Sequence, residues 1–393
     1  MITIIKERVR KIRRRPDYIK HPNDKLNTEP PGRLLSLDVM RGMIMVFLAG
    51  ESCLVYVALK DMSADGTYLK TVDFLFQHHK WNGLHLWDLI QPAFMLMAGS
   101  ALYISYHNKL AKGISWEQNF KHVAIRCLKL FFLGVLIHCL EAQHLVWELW
   151  NVLTQLAVTT IIAYLIINKS SKFQIIFSFG LLALTEVLYR YTHIPGYDQP
   201  FVMGKNFGSY FDMLLMGKIN KNGWVAINVI PTAAHTIWGV VAGKLLVSNK
   251  SSSYKIKALV IAGISGLALG FGLDMVSITP IIKRISTSSF VLASGGWVLL
   301  FLAFLYWITD VKKITRFTKV FVMVGMNSIF IYMFFETVGY HWFDNFISIF
   351  VKGFAGWFGT PGNVQALLSA IVTLLAEIYL CVWLYRKKIF IKL

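Results

Sequence analysis

Acidic residues are scarce in this sequence. Only 21 Asp and Glu stand among 393 residues, against 40 Lys and Arg, and charged residues make up 16% of the chain. No long polar stretch follows residue 33, so a sizeable water-soluble domain is excluded. The four cysteines, Cys53, Cys127, Cys139 and Cys381, all fall in apolar runs without metal-like spacing. That argues against a disulfide framework or a zinc module and reads as small apolar helix residues. No G-x-x-x-x-G-K-[ST] loop and no G-x-S-x-G elbow occurs, which removes the common nucleotide-binding and serine-nucleophile signatures. No apolar segment precedes Leu34, so a cleaved signal peptide is not expected. No base- or strand-reading module is visible, and nucleic acid is not an expected partner despite the net charge of +19.

Hydrophobic residues, by contrast, make up 55% of the chain. Apolar runs of about twenty residues recur, the length that crosses a roughly 30 Å hydrocarbon core at 1.5 Å per helical residue. The expected class is all-α, a polytopic membrane helix bundle of about ten spans in a lipid bilayer. Those spans fall at 35–58, 86–106, 122–140, 149–167, 173–190, 225–247, 256–276, 288–309, 317–337 and 364–385. Residues 343–358 are apolar but glycine-broken, and are read as re-entrant, interfacial or an extra span. Two parts are expected: a basic cytoplasmic tail, 1–33, and a transmembrane domain, 34–393.

Every second connection is rich in base: Lys109 and Lys112, Lys169 and Lys172, Lys250 to Lys257, Lys312 to Lys319, and Arg386 onwards. By the positive-inside rule these connections and both termini are expected in the cytoplasm. The opposite end then collects Glu51, His78, His79, His85, Asp88, Gln91, His138, Glu141, Glu148 and Glu336. Ionisable and amide groups at membrane depth are functional candidates, because they are costly unless they face a cavity or partner.

The stretch from Phe76 to Gly99 concentrates these signals: histidines, then Trp81-Asn82-Gly83, then an apolar helix opened by Asp88, Gln91 and Pro92. An imidazole can act near neutral pH as a nucleophile or general base, and His78 is the best placed to do so. His79 and His85 read as structural, and the histidine spacing is not that of a helical zinc pair; no metal is expected. At the other end, Asp38 and Arg41 are i,i+3 neighbours, read equally as an interfacial ion pair or as a contact for a polyanionic co-substrate. Asn327, within Gly325-Met326-Asn327-Ser328, reads equally as a helix-packing amide or a ligand contact. Gly239, Gly243, Gly263, Gly266 and Gly270 read as packing seams.

Arg33-Leu-Leu-Ser-Leu-Asp-Val-Met-Arg-Gly42, followed by His78-x-x-Trp81-Asn82-Gly83-Leu84-x-x-x-Asp88-Leu89, resembles the transmembrane heparan-α-glucosaminide N-acetyltransferase family. Asn151-Val-Leu-Thr-Gln155-Leu, Ile230-Pro231-x6-Trp238-Gly239, Thr287-Ser-Ser-Phe-Val-Leu292 and Gly325-Met-Asn-Ser-Ile329 extend the resemblance along the chain. It implies acetyl transfer from cytosolic acetyl-CoA to the amine of an amino sugar or glycan on the far face, with His78 as the catalytic histidine. Asp88 or Glu51 would orient His78 or bind the acceptor, while Trp81, Asn82, Gln91 and Glu336 would contact the sugar. Asp38, Arg41 and Asn327 would contact acetyl-CoA. The family's asparagine before the catalytic histidine falls here at Glu51 or Ser52. The expected form is a minimal bacterial one without a lumenal domain, in the inner membrane with its catalytic loop in the periplasm. A homodimer is left open. A secondary transporter of a sugar or amine, or a non-catalytic scaffold, is the alternative.

Overall fold

The computed structural model describes residues 34–62 and 66–391; the expected tail, 1–33, lies outside the described residues. Helix α1 (Leu35–Ser52) turns through 61° into α2 (Val55–Met62), and α3 (Gly66–Phe76) leads to the histidine loop. A 3₁₀ turn, Leu86–Leu89, opens α4 (Ile90–Leu110), followed by α5 (Trp116–Ala142), α6 (Val152–Leu165), α7 (Ser171–Tyr191) and α8 (Phe207–Met216). Next come α9 (Val229–Val247), α10 (Ser252–Met275) and α11 (Ser288–Tyr306), the last running into a π turn, Trp307–Val311. Helices α12 (Thr318–Met326) and α13 (Ser328–Phe334), a π turn (Phe335–Phe343), α14 (Asp344–Trp357) and α15 (Gly362–Arg386) complete the chain.

This is the expected all-α membrane bundle, with a different span count. Among the described residues, seven helices are long and apolar enough to cross a membrane, or up to nine if each of the two bent pairs counts as one span. The expected span at 149–167 is α6, only 14 residues long. At 1.5 Å per residue it reaches about 21 Å, short of the hydrocarbon thickness. The expected run was longer because Leu149 and Trp150 before the helix, and Ile166 and Ile167 after it, continue it outside the helix. The segment 343–358 is α14, which packs against α15 and leaves Phe346, Ile349, Phe350, Phe354 and Trp357 exposed along one side.

Burial separates the helices into two kinds. On α11, Phe290, Val291, Ala293, Leu302 and Ala303 are all buried, as on a helix surrounded by others. On α5, α7 and α10, large apolar side chains such as Phe132, Ile176 and Ile264 are exposed, which suits contact with lipid chains. The expected glycine seams are real. A Cβ at Gly239 would fall 2.0 Å from the Leu96 carbonyl oxygen, and one at Gly99 would fall 1.9 Å from that of Thr236. Helices α4 and α9 therefore meet backbone to backbone. Gly42 plays the same part between α1 and α12, where a Cβ would lie 1.8 Å from the Phe321 oxygen.

The loops at each end of the bundle are tied to one another. At the basic end, Lys109 Nζ donates to Asn119 Oδ1 (2.8 Å), Lys244 Nζ to the Lys169 carbonyl (2.7 Å), and Tyr106 bonds Asn168. The first turn of α1 is capped there by Asp310, whose oxygens accept from the backbone N–H of Leu35 (3.0 Å) and Ser36 (2.9 Å). At the opposite end, Lys218 pairs with Glu148 (2.6 Å), and Trp150 Nε1 donates to Asp212 (2.7 Å).

Candidate active site

The histidine loop, residues 77–85, is built on a glycine. Gly83 has φ +144°, and a Cβ there would lie 2.6 Å from the His79 ring, so no other residue fits without moving it. Gly83 N–H donates to the Ile281 carbonyl (2.8 Å), and Asn82 forms a bridge with Ile282. These contacts fasten the loop to the connection between α10 and α11. They bring Lys283 to His78.

His78 Nδ1 lies 2.9 Å from Asp88 Oδ1 and 3.0 Å from Lys283 Nζ, and Lys283 Nζ lies 3.4 Å from the same carboxylate oxygen. Asp88 is fully buried and Lys283 nearly so, whereas the His78 side chain is 35% exposed. The second Asp88 oxygen accepts from the backbone N–H of His85 (2.9 Å) and His79 (3.2 Å). The carboxylate is thus fixed in position by its own helix start. Nδ1 cannot donate to Asp88 and accept from Lys283 at once; with the proton on Nδ1 it donates to the carboxylate, Lys283 pairs with that same carboxylate, and the Nε2 lone pair is left open. Burial, then the Lys283 charge, hold the His78 imidazole down at about 4, against the opposing pull of Asp88. Lys283 is itself pushed down to about 8 by burial, with Asp88 opposing. His78 is therefore a neutral imidazole near pH 7. Trp224 closes one side, edge-on to His78 at 6.0 Å between ring centres and 5.5 Å from Lys283 Nζ.

The remaining expected residues divide into those near this group and those used elsewhere. Glu51 accepts from Trp87 Nε1 (3.1 Å), which links α1 to the residue before Asp88. Trp81 donates its indole N–H to the Phe201 carbonyl (2.7 Å) and packs on Gly223, so it anchors one loop on another. Asn82 is exposed beside its bridge. Gln91 is buried and donates to Gln155, tying α4 to α6. Glu336 lies in a polar patch with Tyr332, Glu141 and His138 that also reaches Glu51. His138 Nδ1 in turn lies 3.2 Å from Glu148 and 3.5 Å from Glu141. At the basic end, Arg41 pairs with Asp38 (3.5 Å). Asn327 spends both amide atoms on the C-terminal chain, donating to the Ile389 carbonyl (3.1 Å) and accepting from Ile391 N–H (3.0 Å). His85 bonds the Gln77 carbonyl (2.9 Å), the structural use expected of it.

Sequence reasoning missed Lys283. It is 205 positions from His78, and its signal was faint: Lys283-Arg284 is a basic pair in a connection otherwise poor in base. Trp224 was missed for the same reason of distance.

A bundle of membrane-spanning helices carrying a histidine, carboxylate and lysine at one end defines the class. The family model described as heparan-alpha-glucosaminide N-acetyltransferase, catalytic, matches residues 33–272, and the chain belongs to that family. It is 25% identical to the human heparan-alpha-glucosaminide N-acetyltransferase over 433 aligned residues, covering 94% of this chain and 61% of that protein. The mouse protein of the same name is 23% identical over 424 residues, with 92% and 60% covered. The chain thus spans about six tenths of the length of these curated relatives. Lys283 lies beyond the stretch that the family model matches.

Proposed function

We propose that this protein is a membrane acetyltransferase that moves the acetyl group of acetyl-CoA to the amine of an amino sugar or glycan, with His78 as the group that receives it. The observation that carries the reading is the bonding of His78: Nδ1 faces Asp88 at 2.9 Å, while Nε2 has no hydrogen-bond partner among the described residues. A carboxylate behind one ring nitrogen and an open lone pair on the other is how an imidazole is held for chemistry.

Of the two roles open to His78, the nucleophile fits better. A general base works best with a pKa near the working pH, and an imidazole held at about 4 is a weak base for an amine. As a nucleophile it is unprotonated at any physiological pH. In the first step Nε2 attacks the thioester carbonyl, the N–C bond forms, and the C–S bond breaks to release the CoA thiolate. Asp88 stabilises the cationic acetyl-imidazole through Nδ1–H. In the second step the neutral acceptor amine attacks the same carbonyl, Nε2 leaves, and the surplus amine proton passes to a carboxylate or to water. Glu51, exposed near Trp87, and Glu336 are the carboxylates proposed for that proton and for drawing in a cationic acceptor.

Residues 34–393 form the acyltransferase domain in this reading. The basic end faces the cytosol, and acetyl-CoA enters there beside Asp38 and Arg41. His78 then faces the far side of the membrane, the periplasm in a cell with two membranes. Asn327 acts by holding the C-terminal chain in place.

The test is transfer of label from acetyl-CoA to glucosamine by purified protein in detergent, for the wild type and His78→Ala. Acetylglucosamine from the wild type alone supports the reading. Label retained on the wild-type chain when acceptor is omitted supports the two-step form. Equal transfer by His78→Ala refutes the role of His78. Exchange of unmodified sugar across vesicles without acetyl transfer would favour a transporter.

A further inference from the structure

A second cluster of reactive side chains lies apart from the His78 group and has no part in the chemistry above. Cys53 Sγ, an Asp344 carboxylate oxygen and a Glu377 carboxylate oxygen all lie within 4.8 Å of one another. Glu377 is fully buried and Cys53 is 3% exposed. Both oxygens of Asp344 are buried without a hydrogen-bond partner among the described residues, and buried Glu377 faces only the Cys53 thiol. Buried carboxylates normally carry hydrogen bonds or a counter-charge, because an isolated one costs several kcal/mol or more. One oxygen from each carboxylate lies within 4.8 Å of the Cys53 sulfur, and this buried group of three donors leaves a place for a cation.

The backbone around the cluster is shaped to the same end. Cys53 sits at the 61° break between α1 and α2, where the next residue, Leu54, takes φ +60°. Asp344 is the first residue of α14, directly after the π turn Phe335–Phe343. Gly339, inside that turn, leaves open the space beside the third ligand: a Cβ there would lie 2.8 Å from Glu377 Oε1. Irregular turns inside membrane helices are tolerated where something re-satisfies them, and π turns recur at functional positions.

We propose that Cys53, Asp344 and Glu377 bind a zinc ion that clamps α1, α14 and α15 together. One sulfur and two carboxylates are a donor set that zinc accepts, with water completing a tetrahedron. Zinc–sulfur and zinc–oxygen bonds of about 2.3 and 2.1 Å put tetrahedral ligand atoms roughly 3.6 Å apart. The three side chains have to close by about an ångström, within reach of carboxyl rotation. Binding displaces the thiol proton to solvent, so zinc affinity rises with pH. The ligands come from three elements far apart in sequence, which is why no metal spacing was legible.

The test uses the full-length chain in detergent, loaded with zinc chloride, freed of excess ion by gel filtration and measured by elemental mass spectrometry. Cobalt loading of the same protein reports a sulfur ligand through a thiolate-to-metal charge-transfer band. The wild type is expected to retain about one zinc per chain and to show the band. Cys53→Ser loses the band, and Cys53→Ser and Glu377→Gln each retain zinc at least about tenfold more weakly. Zinc also raises the melting temperature of the wild type, a reading that needs no variant to fold. Sub-stoichiometric zinc in the wild type, with no thermal shift, overturns the proposal. So does equal retention of zinc by both variants, which would place the ion elsewhere, such as on the exposed histidines.

Discussion

Replacing Lys283 by Met removes a buried positive charge 3.0 Å from His78 Nδ1 while keeping an unbranched side chain of similar volume. In the folded protein that charge opposes protonation of the imidazole. Without it the Asp88 carboxylate, 2.9 Å away, acts unopposed and favours the imidazolium. Both effects raise the pKa of His78 from its present value of about 4. Two unit charges about 3 Å apart interact by roughly 5 kcal/mol at an effective dielectric near 20. The His78 side chain is 35% exposed and an imidazolium spreads its charge over the ring, so about half of that is expected to survive screening. About 2.7 kcal/mol corresponds to roughly two pKa units, which puts the variant near 6. At pH 5 the wild-type imidazole is then about 90% neutral and that of the variant about 10%. The assay is the pH dependence of kcat/KM for labelled acetyl transfer, taken as the ratio of variant to wild type so that titration of the acceptor cancels. The ratio should fall about tenfold between pH 8 and pH 5. An acid limb that stays put or moves to lower pH would refute the assignment of Lys283 as the charge controlling His78.

Other changes test other contacts. Asp88→Asn keeps the shape, but the His85 and His79 N–H groups hold the amide oxygen, so its NH2 faces Nδ1 and imposes the other tautomer; kcat should fall by about 10² to 10⁴ with little change in KM. The lowered pKa of His78 also makes a stability prediction. Between pH 6.5 and 4 the unfolded chain binds a proton that the native site resists, so acidification destabilises the fold. Melting temperature should drop over that window, and less steeply in His78→Gln than in the wild type. Gly239→Val forces a side chain into the Leu96 carbonyl, where a Cβ alone would lie 2.0 Å away; loss of folded protein in detergent gel filtration is expected, whereas Gly180→Val, with open space around it, should be tolerated. Asn327→Ala should cost about 1–3 kcal/mol in denaturant stability by freeing Ile389 and Ile391, with the KM for acetyl-CoA unchanged.

What was legible in the sequence were features carried by near neighbours. Apolar runs of span length gave the helices, and the pairing of His78 with Asp88 could be read because the two lie only ten positions apart, across one loop and a helix start. The seam glycines were legible because a membrane helix has few other reasons to keep them. Lys283 and the Cys53–Asp344–Glu377 group were not, since each depends on how distant helices pack. The bond from the Trp81 N–H to the Phe201 carbonyl was likewise not legible, since it is set by a loop 120 positions away. The breaks within spans were not legible because hydropathy cannot register where a helix bends or stops short. Both bent pairs and the 14-residue α6 read in sequence as unbroken runs.

Where α4 crosses α9, main chain rests on main chain at Gly99 and Gly239, with no cushion of side chains able to slide. That crossing is a stiff spine, and the start of α4 carries Asp88 with it. Gly42 gives α1 and α12 an equally close crossing, so the give in the bundle is left to the breaks beyond these crossings: between α1 and α2, between α12 and α13, and through Phe335–Phe343.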